Sequence, residues 1–225
     1  MRVAVIQSPG SNCDQDALFG LNLYLGVKAE YVWHRSDSLS GFDAVILPGG
    51  FTYGDYLRGG AIASRSPIMA EVVRFANEGR LVLGICNGFQ ILSELGLLPG
   101  ALLRNEKLKF ICRKVFLKAA NTSSPWTRDV NDILSIPVAH NEGRFVVEDD
   151  TLKKLQDDDR IAFYYCDEQG SVTEESNPNG ATENIAGVLN EKGNVLGMMP
   201  HPERVLSPLL GGDDGKKILS CLVGA

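Results

Sequence analysis

The sequence lacks several features that mark whole classes of protein. No apolar run in its 225 residues approaches the length that spans a bilayer. Basic residues are outnumbered by acidic ones, 22 to 28, and the formal net charge is −6. Because an acidic chain is a poor ligand for nucleic acid or for an anionic membrane surface, we expect neither among its partners.

Cysteine and histidine are sparse and scattered, without the spacing of a zinc site or of a disulfide framework. They are Cys13, Cys86, Cys112, Cys166 and Cys221, with His34, His140 and His201. The first residues lead directly into a predicted strand and show no secretory pattern. We therefore expect reduced thiols, a cytoplasmic protein and no metal site.

One cysteine lies between a predicted strand and a predicted helix. Leu81–Ile85 is a continuous apolar run typical of a strand buried on both faces, and helical spacing of apolar residues begins soon after Cys86. Gly84 and Gly88 on either side let neighbouring backbones approach closely. This is the pattern of a nucleophile elbow with cysteine in place of serine, and a helix N-terminus favours thiolate. A buried structural cysteine is the alternative.

The order of the predicted elements indicates parallel βα units. The predicted strands are Val3–Gln7, Lys28–Trp33, Asp43–Leu47, Leu81–Ile85, Leu108–Ala119, Asp132–His140, Arg144–Val147, Ile161–Cys166, Ile185–Asn190 and Val195–Met199. With helices between the early strands, we expect an α/β fold. It is a single flavodoxin-like domain over residues 1–225, with an open, mostly parallel sheet, helices on both faces and extra strands in the C-terminal half. The last helix is predicted over Asp213–Leu222, and the polar segment 167–184 is predicted to be a mobile loop or a hairpin tip.

A base for the cysteine is predicted near the end of the chain. His201 and Glu203 follow an apolar strand, at an edge where open α/β sheets gather their sites. Residues two apart in an extended chain point the same way, so Glu203 can orient the His201 ring. A solvated turn is the alternative for this segment taken alone.

Pro48-Gly-Gly50, which follows the predicted strand Asp43–Leu47, is predicted to supply backbone N–H donors to an oxyanion. Backbone N–H groups near Gly50 or Phe51, and that of Asn87 after the nucleophile, are the candidates. The segment has no Lys-Ser/Thr ending, which excludes a phosphate-binding P-loop.

Together these segments resemble a known family. Gly84-Ile-Cys-Asn-Gly-Phe-Gln90, Pro48-Gly-Gly50 and His201-Pro-Glu203 resemble class I glutamine amidotransferases of the triad type. Gly54-Asp-Tyr-Leu-Arg58 and Asn141-Glu-Gly-Arg-Phe145 resemble the glutaminase subunits of phosphoribosylformylglycinamidine synthase, which acts at the fourth step of purine biosynthesis. The family more often has glycine where this chain has Asn141.

The resemblance implies that Cys86 is the nucleophile, His201 the general acid and base, and Glu203 its orienting group. It implies L-glutamine as substrate, and the predicted binding residues are Gly50, Phe51, Asn87, Gln90, His140 and Asn141. His140 to Glu142 would line the pocket or face the partner. The implied partners are a large synthetase subunit, which would hold ATP and Mg²⁺, and a small accessory subunit; no cofactor is expected in this chain. The synthetase would use the ammonia to convert formylglycinamide ribonucleotide to formylglycinamidine ribonucleotide.

Two alternatives stay open at this point. A glutaminase subunit for another synthetase, such as those for anthranilate, GMP or carbamoyl phosphate, would share the triad. A redox sensor or chaperone with an oxidised elbow cysteine would share the fold, but it leaves His201-Pro-Glu203 without a purpose. For Asp55 and Arg58 three roles have equal weight: a structural role, contact with glutamine and contact with the partner.

Overall fold

The computed structural model describes residues 1–223, so the last two residues of the predicted domain 1–225 lie outside the described part. The strands are β1 (Arg2–Gln7), β2 (Lys28–Trp33), β3 (Ala44–Leu47), β4 (Leu81–Ile85), β5 (Ala101–Leu103), β6 (Ile111–Ala119), β7 (Leu134–His140), β8 (Arg144–Val146), β9 (Ile161–Cys166), β10 (Ile185–Leu189) and β11 (Val195–Met198). The α-helices are α1 (Asp14–Tyr24), α2 (Ile68–Asn77), α3 (Asn87–Glu94), α4 (Asp149–Asp157) and α5 (Gly215–Leu219).

One large sheet has the strand order β2-β1-β3-β4-β11-β10-β9-β6-β7. The neighbours from β2 to β11 are parallel, and those from β11 to β7 are antiparallel. Strand direction alternates from β11 to β7, so β10 and β6 are the two strands of this sheet that run opposite to the other seven. The predicted α/β fold, with a mostly parallel sheet and extra strands in the C-terminal half, is confirmed.

The central strands are buried on both faces. Every residue of β3 is buried, as are all but the end residues of β1 and the first residue of β4. Since side chains alternate between the faces of a strand, consecutive burial requires cover on each side. Each apolar side chain buried in this way contributes roughly 1.5–3 kcal/mol, which explains the unbroken apolar runs in the sequence.

The structure differs from the prediction mainly in the second half of the chain. β5, which was not predicted, pairs with β8 in a separate two-stranded sheet. β6 begins at Ile111 and not at Leu108, because Leu108 has a positive φ of 52° in a turn. The last helix is α-helical only over Gly215–Leu219 and continues as a 3₁₀ turn. No helix within residues 1–223 is long and apolar enough to cross a membrane.

The segment 167–184 connects β9 and β10, which are antiparallel neighbours, so it is a hairpin tip. Its own side chains hold it together. The Asn177 side-chain oxygen accepts from the N–H groups of Gly180 and Ala181, and Asn184 donates to the carbonyl oxygen of Thr173 at 2.6 Å. Of the two predicted states, the hairpin tip is the one that the hydrogen bonds support.

The edge strand β7 contacts residues that follow the central strands β4 and β11, so the sheet is strongly curved. β7 is the edge strand, yet the sulfur of Cys86, after β4, lies 3.7 Å from the carbonyl oxygen of Ala139 in β7. The N–H of His201, after β11, donates to the carbonyl oxygen of Pro137 at 2.8 Å. The ends of β4, β7 and β11 therefore meet at one place.

Candidate active site

Cys86 is the single residue between β4 and α3. Its φ of 51° and ψ of −104° are sparsely populated for a residue with a side chain, and such strain clusters at functional sites. A Cβ on Gly88 would collide with the backbone oxygen of Leu47, and one on Gly84 would lie 2.6 Å from the Gly88 oxygen. The predicted elbow geometry is confirmed, with both glycines required by close backbone approach.

His201 and Glu203 form a buried hydrogen-bonded pair. The Nδ1 of His201 donates to Oε1 of Glu203 at 2.7 Å, and both side chains are about 1% exposed. The predicted contact is present, but its predicted cause is wrong. Pro202–Arg204 is a 3₁₀ turn and not an extended segment, so the turn brings the carboxylate back to the ring.

The environment of His201 favours its charged form. Burial lowers the pKa of His201, but the Glu203 carboxylate and the thiols of Cys13 and Cys86 outweigh burial and raise this pKa well above its usual value. An imidazolium at this position is both a counter-charge for a thiolate and a source of a proton for a leaving group.

A cavity of about 280 Å³ opens in front of Cys86. The lining residues are Gly50, Phe51, Gly54, Asp55, Cys86, Gln90, Arg104, Ala139, His140, Asn141 and Glu142. All the predicted binding residues except Asn87 are in this set. Its volume suits one small molecule the size of an amino acid.

Two of the backbone N–H groups that the sequence predicts as oxyanion donors have no acceptor within residues 1–223. Asn87 is the first residue of α3, so its N–H has no acceptor within the helix. The N–H of Gly50 has no acceptor within residues 1–223. Of the two alternatives Gly50 and Phe51, the structure leaves Gly50, because the N–H of Phe51 donates to the carbonyl oxygen of Gly10 at 2.8 Å.

Side-chain hydrogen bonds attach the loop after β3, at Thr52, to the start of α3. The fully buried Asn87 accepts from the Thr52 hydroxyl at 2.6 Å and donates to Oε1 of Gln90 at 2.7 Å. Gln90 in turn donates to the backbone oxygen of Glu142 at 2.7 Å. The side chain of Asn87 therefore positions its neighbours and does not line the cavity.

The end of β7 and the residues after it also line the cavity. His140 is 2% exposed, and its Nδ1 lies 3.0 Å from Oδ1 of Asn105. Burial and then the charge of His201 lower the pKa of His140 to about 4. His140 thus lines the cavity and does not face outward, which decides between its two predicted positions. Asn105, fully buried, was missed because no motif marks it.

Three charged side chains also lie at the cavity. Burial and then the neighbouring Glu142 carboxylate raise the pKa of Asp55 to about 6, although Asn87 donates to it. Arg104, which was not predicted, lies 3.7 Å from Glu142. Arg58 forms a bidentate ion pair with Glu94 and is not among the lining residues, so it does not border the cavity.

One group of possible metal ligands lies within residues 1–223. Donor atoms of Cys13, His201 and Glu203 are within 4.8 Å of one another. Two of them already bond to each other, and Nη2 of Arg204 lies 3.1 Å from the sulfur of Cys13. A guanidinium at this distance repels a cation, so the group does not fit a resident metal.

Comparison with known proteins identifies the family. A family model described as a CobB/CobQ-like glutamine amidotransferase domain matches residues 1–211. Phosphoribosylformylglycinamidine synthase subunit PurQ of Moorella thermoacetica is 52% identical over 99% of this chain and 95% of its own. The PurQ subunit of Synechococcus sp. strain CC9605 is 52% identical over the full length of both. The chain belongs to the PurQ family.

The structural comparison agrees with the PurQ family. A chain of the solved PurLQS structure from Thermotoga maritima matches with a TM-score of 0.87 and 45% identity, over 99% of this chain and 97% of that chain. The glutaminase domain of Trypanosoma brucei CTPS matches with a TM-score of 0.60 at 16% identity, which supports the fold alone. The predicted resemblance is confirmed, and this PurQ-family chain is an enzyme of the glutamine amidotransferase class.

Proposed function

We propose that this chain hydrolyses L-glutamine through a thioester at Cys86. The observation that carries the proposal is the buried His201–Glu203 pair beside a strained cysteine that opens into a small cavity. The Cys86 thiolate attacks the carboxamide carbon, and the N–H groups of Gly50 and Asn87 hold the oxyanion. The His201 imidazolium protonates the departing ammonia. Water then attacks the thioester and releases glutamate, while His201 takes up one of its protons.

The ammonia is delivered to an ATP-dependent synthetase subunit, which converts formylglycinamide ribonucleotide to formylglycinamidine ribonucleotide in purine biosynthesis. The names of the PurQ and PurLQS relatives support this partner. ATP and Mg²⁺ belong to that subunit, and a small accessory subunit completes the complex in the cytoplasm.

Exposed apolar side chains near the cavity support a partner at its mouth. Phe51 lines the cavity and is 42% exposed, and its ring centroid lies 6.3 Å from that of Phe110. Tyr56 and Leu57, in the same loop, are 91% and 70% exposed. Apolar groups concentrated in one region of a surface mark interaction sites.

Reconstitution tests this proposal. The chain is mixed with a PurQ-partner synthetase subunit, and glutamate release from glutamine is measured alongside labelling of Cys86 by a diazo-ketone analogue of glutamine. We expect Cys86→Ala to abolish both, and Cys112→Ala, at an exposed cysteine, to change neither. Labelling should also be lost in His201→Ala. Glutamate release that persists in Cys86→Ala would overturn the thioester, and activation only by a non-purine synthetase would overturn the partner.

A further inference from the structure

A second thiol lies beside the His201–Glu203 pair. Cys13 is 4% exposed, and its sulfur lies within 4.8 Å of a ring nitrogen of His201 and of a carboxylate oxygen of Glu203. The backbone N–H of Cys13 donates to the carbonyl oxygen of Gly49 at 3.2 Å, which fixes the residue to the loop after β3. A Cβ on Gly49 would lie 2.6 Å from Cε1 of His201 and 3.3 Å from the sulfur. Glycine at this position therefore leaves room for the ring and the sulfur side by side.

The same sulfur accepts from a guanidinium. Nη2 of Arg204 lies 3.1 Å from the sulfur of Cys13, and Nε of Arg204 donates to Oδ2 of Asp16 at 3.0 Å. A guanidinium has donors only, so the sulfur is the acceptor in the first contact. Because Arg204 ends the 3₁₀ turn that begins just after His201, its positive charge is held near the imidazolium. Like charges at short range disfavour each other.

His140, the other ring near the cysteine nucleophile, adds no positive charge. Burial and then the charge of His201 lower the pKa of His140 to about 4. The Nδ2 of Asn105 donates to the backbone oxygens of Lys109 at 2.8 Å and His140 at 3.0 Å, which fixes its amide. Its Oδ1 is then the acceptor, and Nδ1 of His140 donates to it at 3.0 Å. The cation near His201 is thus Arg204 and not His140.

Charged and polarisable groups from three elements face the ring of His201. Burial lowers the pKa of His201, but Glu203 from its own turn, Cys13 from the start of α1 and Cys86 from the elbow after β4 raise it. Burial also lowers the pKa of Arg204, and the sulfur of Cys13 and then nearby carboxylates outweigh burial and raise it. One sulfur therefore favours the charged forms of two side chains.

We propose that Cys13 is a positioning residue for glutamine hydrolysis: its sulfur holds the guanidinium of Arg204 and stabilises the imidazolium of His201 beside it. The proposal rests on the proposed function, since it concerns the same reaction. Without the sulfur, the guanidinium lacks this acceptor and its charge disfavours the imidazolium. Cys13 acts without touching glutamine, because it is not among the residues that line the cavity.

The pH dependence of kcat/KM for glutamine tests this role on the reconstituted complex. Activity that needs the imidazolium falls as pH rises through the pKa of His201. In Cys13→Ala we expect that fall to move down by about one pH unit, and in Cys13→Ser, which keeps an acceptor, by less. Adding Arg204→Met to Cys13→Ala should return the fall toward the wild-type pH, because the repelling charge is gone. Cys221→Ala is the matched control, since Cys221 is also 4% exposed and its sulfur donates to the carbonyl oxygen of Ile218.

The possible outcomes separate this role from the proposed function. A wild-type complex that releases no glutamate would overturn both. Normal hydrolysis with an unshifted profile in Cys13→Ala would overturn only the role of Cys13, and so would a shift that Arg204→Met leaves in place. If Cys13→Ala does not fold, Cys13→Val, which fills the space without an acceptor, takes its place. An unshifted profile in that variant would contradict the proposal.

Discussion

His140 and His201 border the same cysteine and are both almost fully buried, yet they differ in charge. The ring of His201 donates from Nδ1 to the carboxylate of Glu203, and the ring of His140 donates from Nδ1 to the uncharged amide of Asn105. The pKa of the first is raised well above its usual value, and the pKa of the second is lowered to about 4.

The difference shows that burial alone does not set the charge of a histidine. Burial lowers both pKa values, and a carboxylate partner reverses the result for His201 only. The charged ring can give a proton to a leaving group, while the neutral ring can only accept a hydrogen bond through Nε2. Two buried imidazoles near one thiol therefore differ in charge because their Nδ1 partners differ.

Removal of the Glu203 carboxylate should have the largest of the predicted effects, and that effect is on catalysis. We expect Glu203→Gln to lower kcat for glutamine hydrolysis by roughly 10⁴-fold, as loss of the orienting carboxylate does in other triads. Activity that needs the imidazolium falls as pH rises through the pKa of His201. In Glu203→Gln that fall should move to lower pH, because the carboxylate no longer raises this pKa.

A pH profile of kcat/KM for the wild type and Glu203→Gln measures this change. Glu191→Gln, at an exposed turn, is the control. A Glu203→Gln profile with the high-pH fall of the wild type would contradict the assignment of the charge to Glu203.

Much of the local geometry could be predicted from the sequence. The β4–Cys86–α3 junction is encoded within a few residues, by an apolar run, two flanking glycines and helical spacing. The His201–Glu203 contact is equally local, although a turn produces it and not an extended strand.

The rest depends on contacts between distant parts of the chain. The curvature that brings Ala139 against Cys86 is a property of the whole sheet, and no motif marks Asn105 or Arg104. The N–H of Phe51 is taken by Gly10, forty-one residues earlier, which local spacing cannot show. β5 is a three-residue strand whose pairing with β8 has no periodic signal.

The acid dependence of stability should reveal the neutral histidine. Because the folded pKa of His140 lies below the usual 6.5, its stabilisation is complete above about pH 6.5 and is lost as pH falls toward 4. Between pH 7 and pH 5 the wild type should lose about 2 kcal/mol more than His140→Gln. Urea unfolding at the two pH values measures the difference, and equal losses in both proteins would show that His140 titrates normally.

The smallest predicted effect is on the free energy of unfolding, and it comes from a carboxyl group whose pKa also changes on folding. Burial and Glu142 raise the pKa of Asp55 to about 6, so ionised Asp55 is unfavourable in the folded state above that pH. Asp55→Asn should therefore stabilise the chain at pH 7.5, by at most about 1 kcal/mol because the side chain is partly screened by solvent.

Thermal unfolding at pH 7.5 and pH 5 tests this prediction. The gain should shrink at pH 5, where Asp55 is protonated, and Asp37→Asn, at an exposed position, is the control. A loss of stability at pH 7.5 would contradict it.

Nitrogen NMR of the histidine rings as a function of pH tests the division between the two imidazoles most directly, with His140→Gln and His201→Ala variants to assign the signals. We predict that at pH 7 the ring of His201 is an imidazolium and the ring of His140 is neutral with its hydrogen on Nδ1. Two rings that titrate together near pH 6.5, or a neutral His140 with its hydrogen on Nε2, would contradict this account.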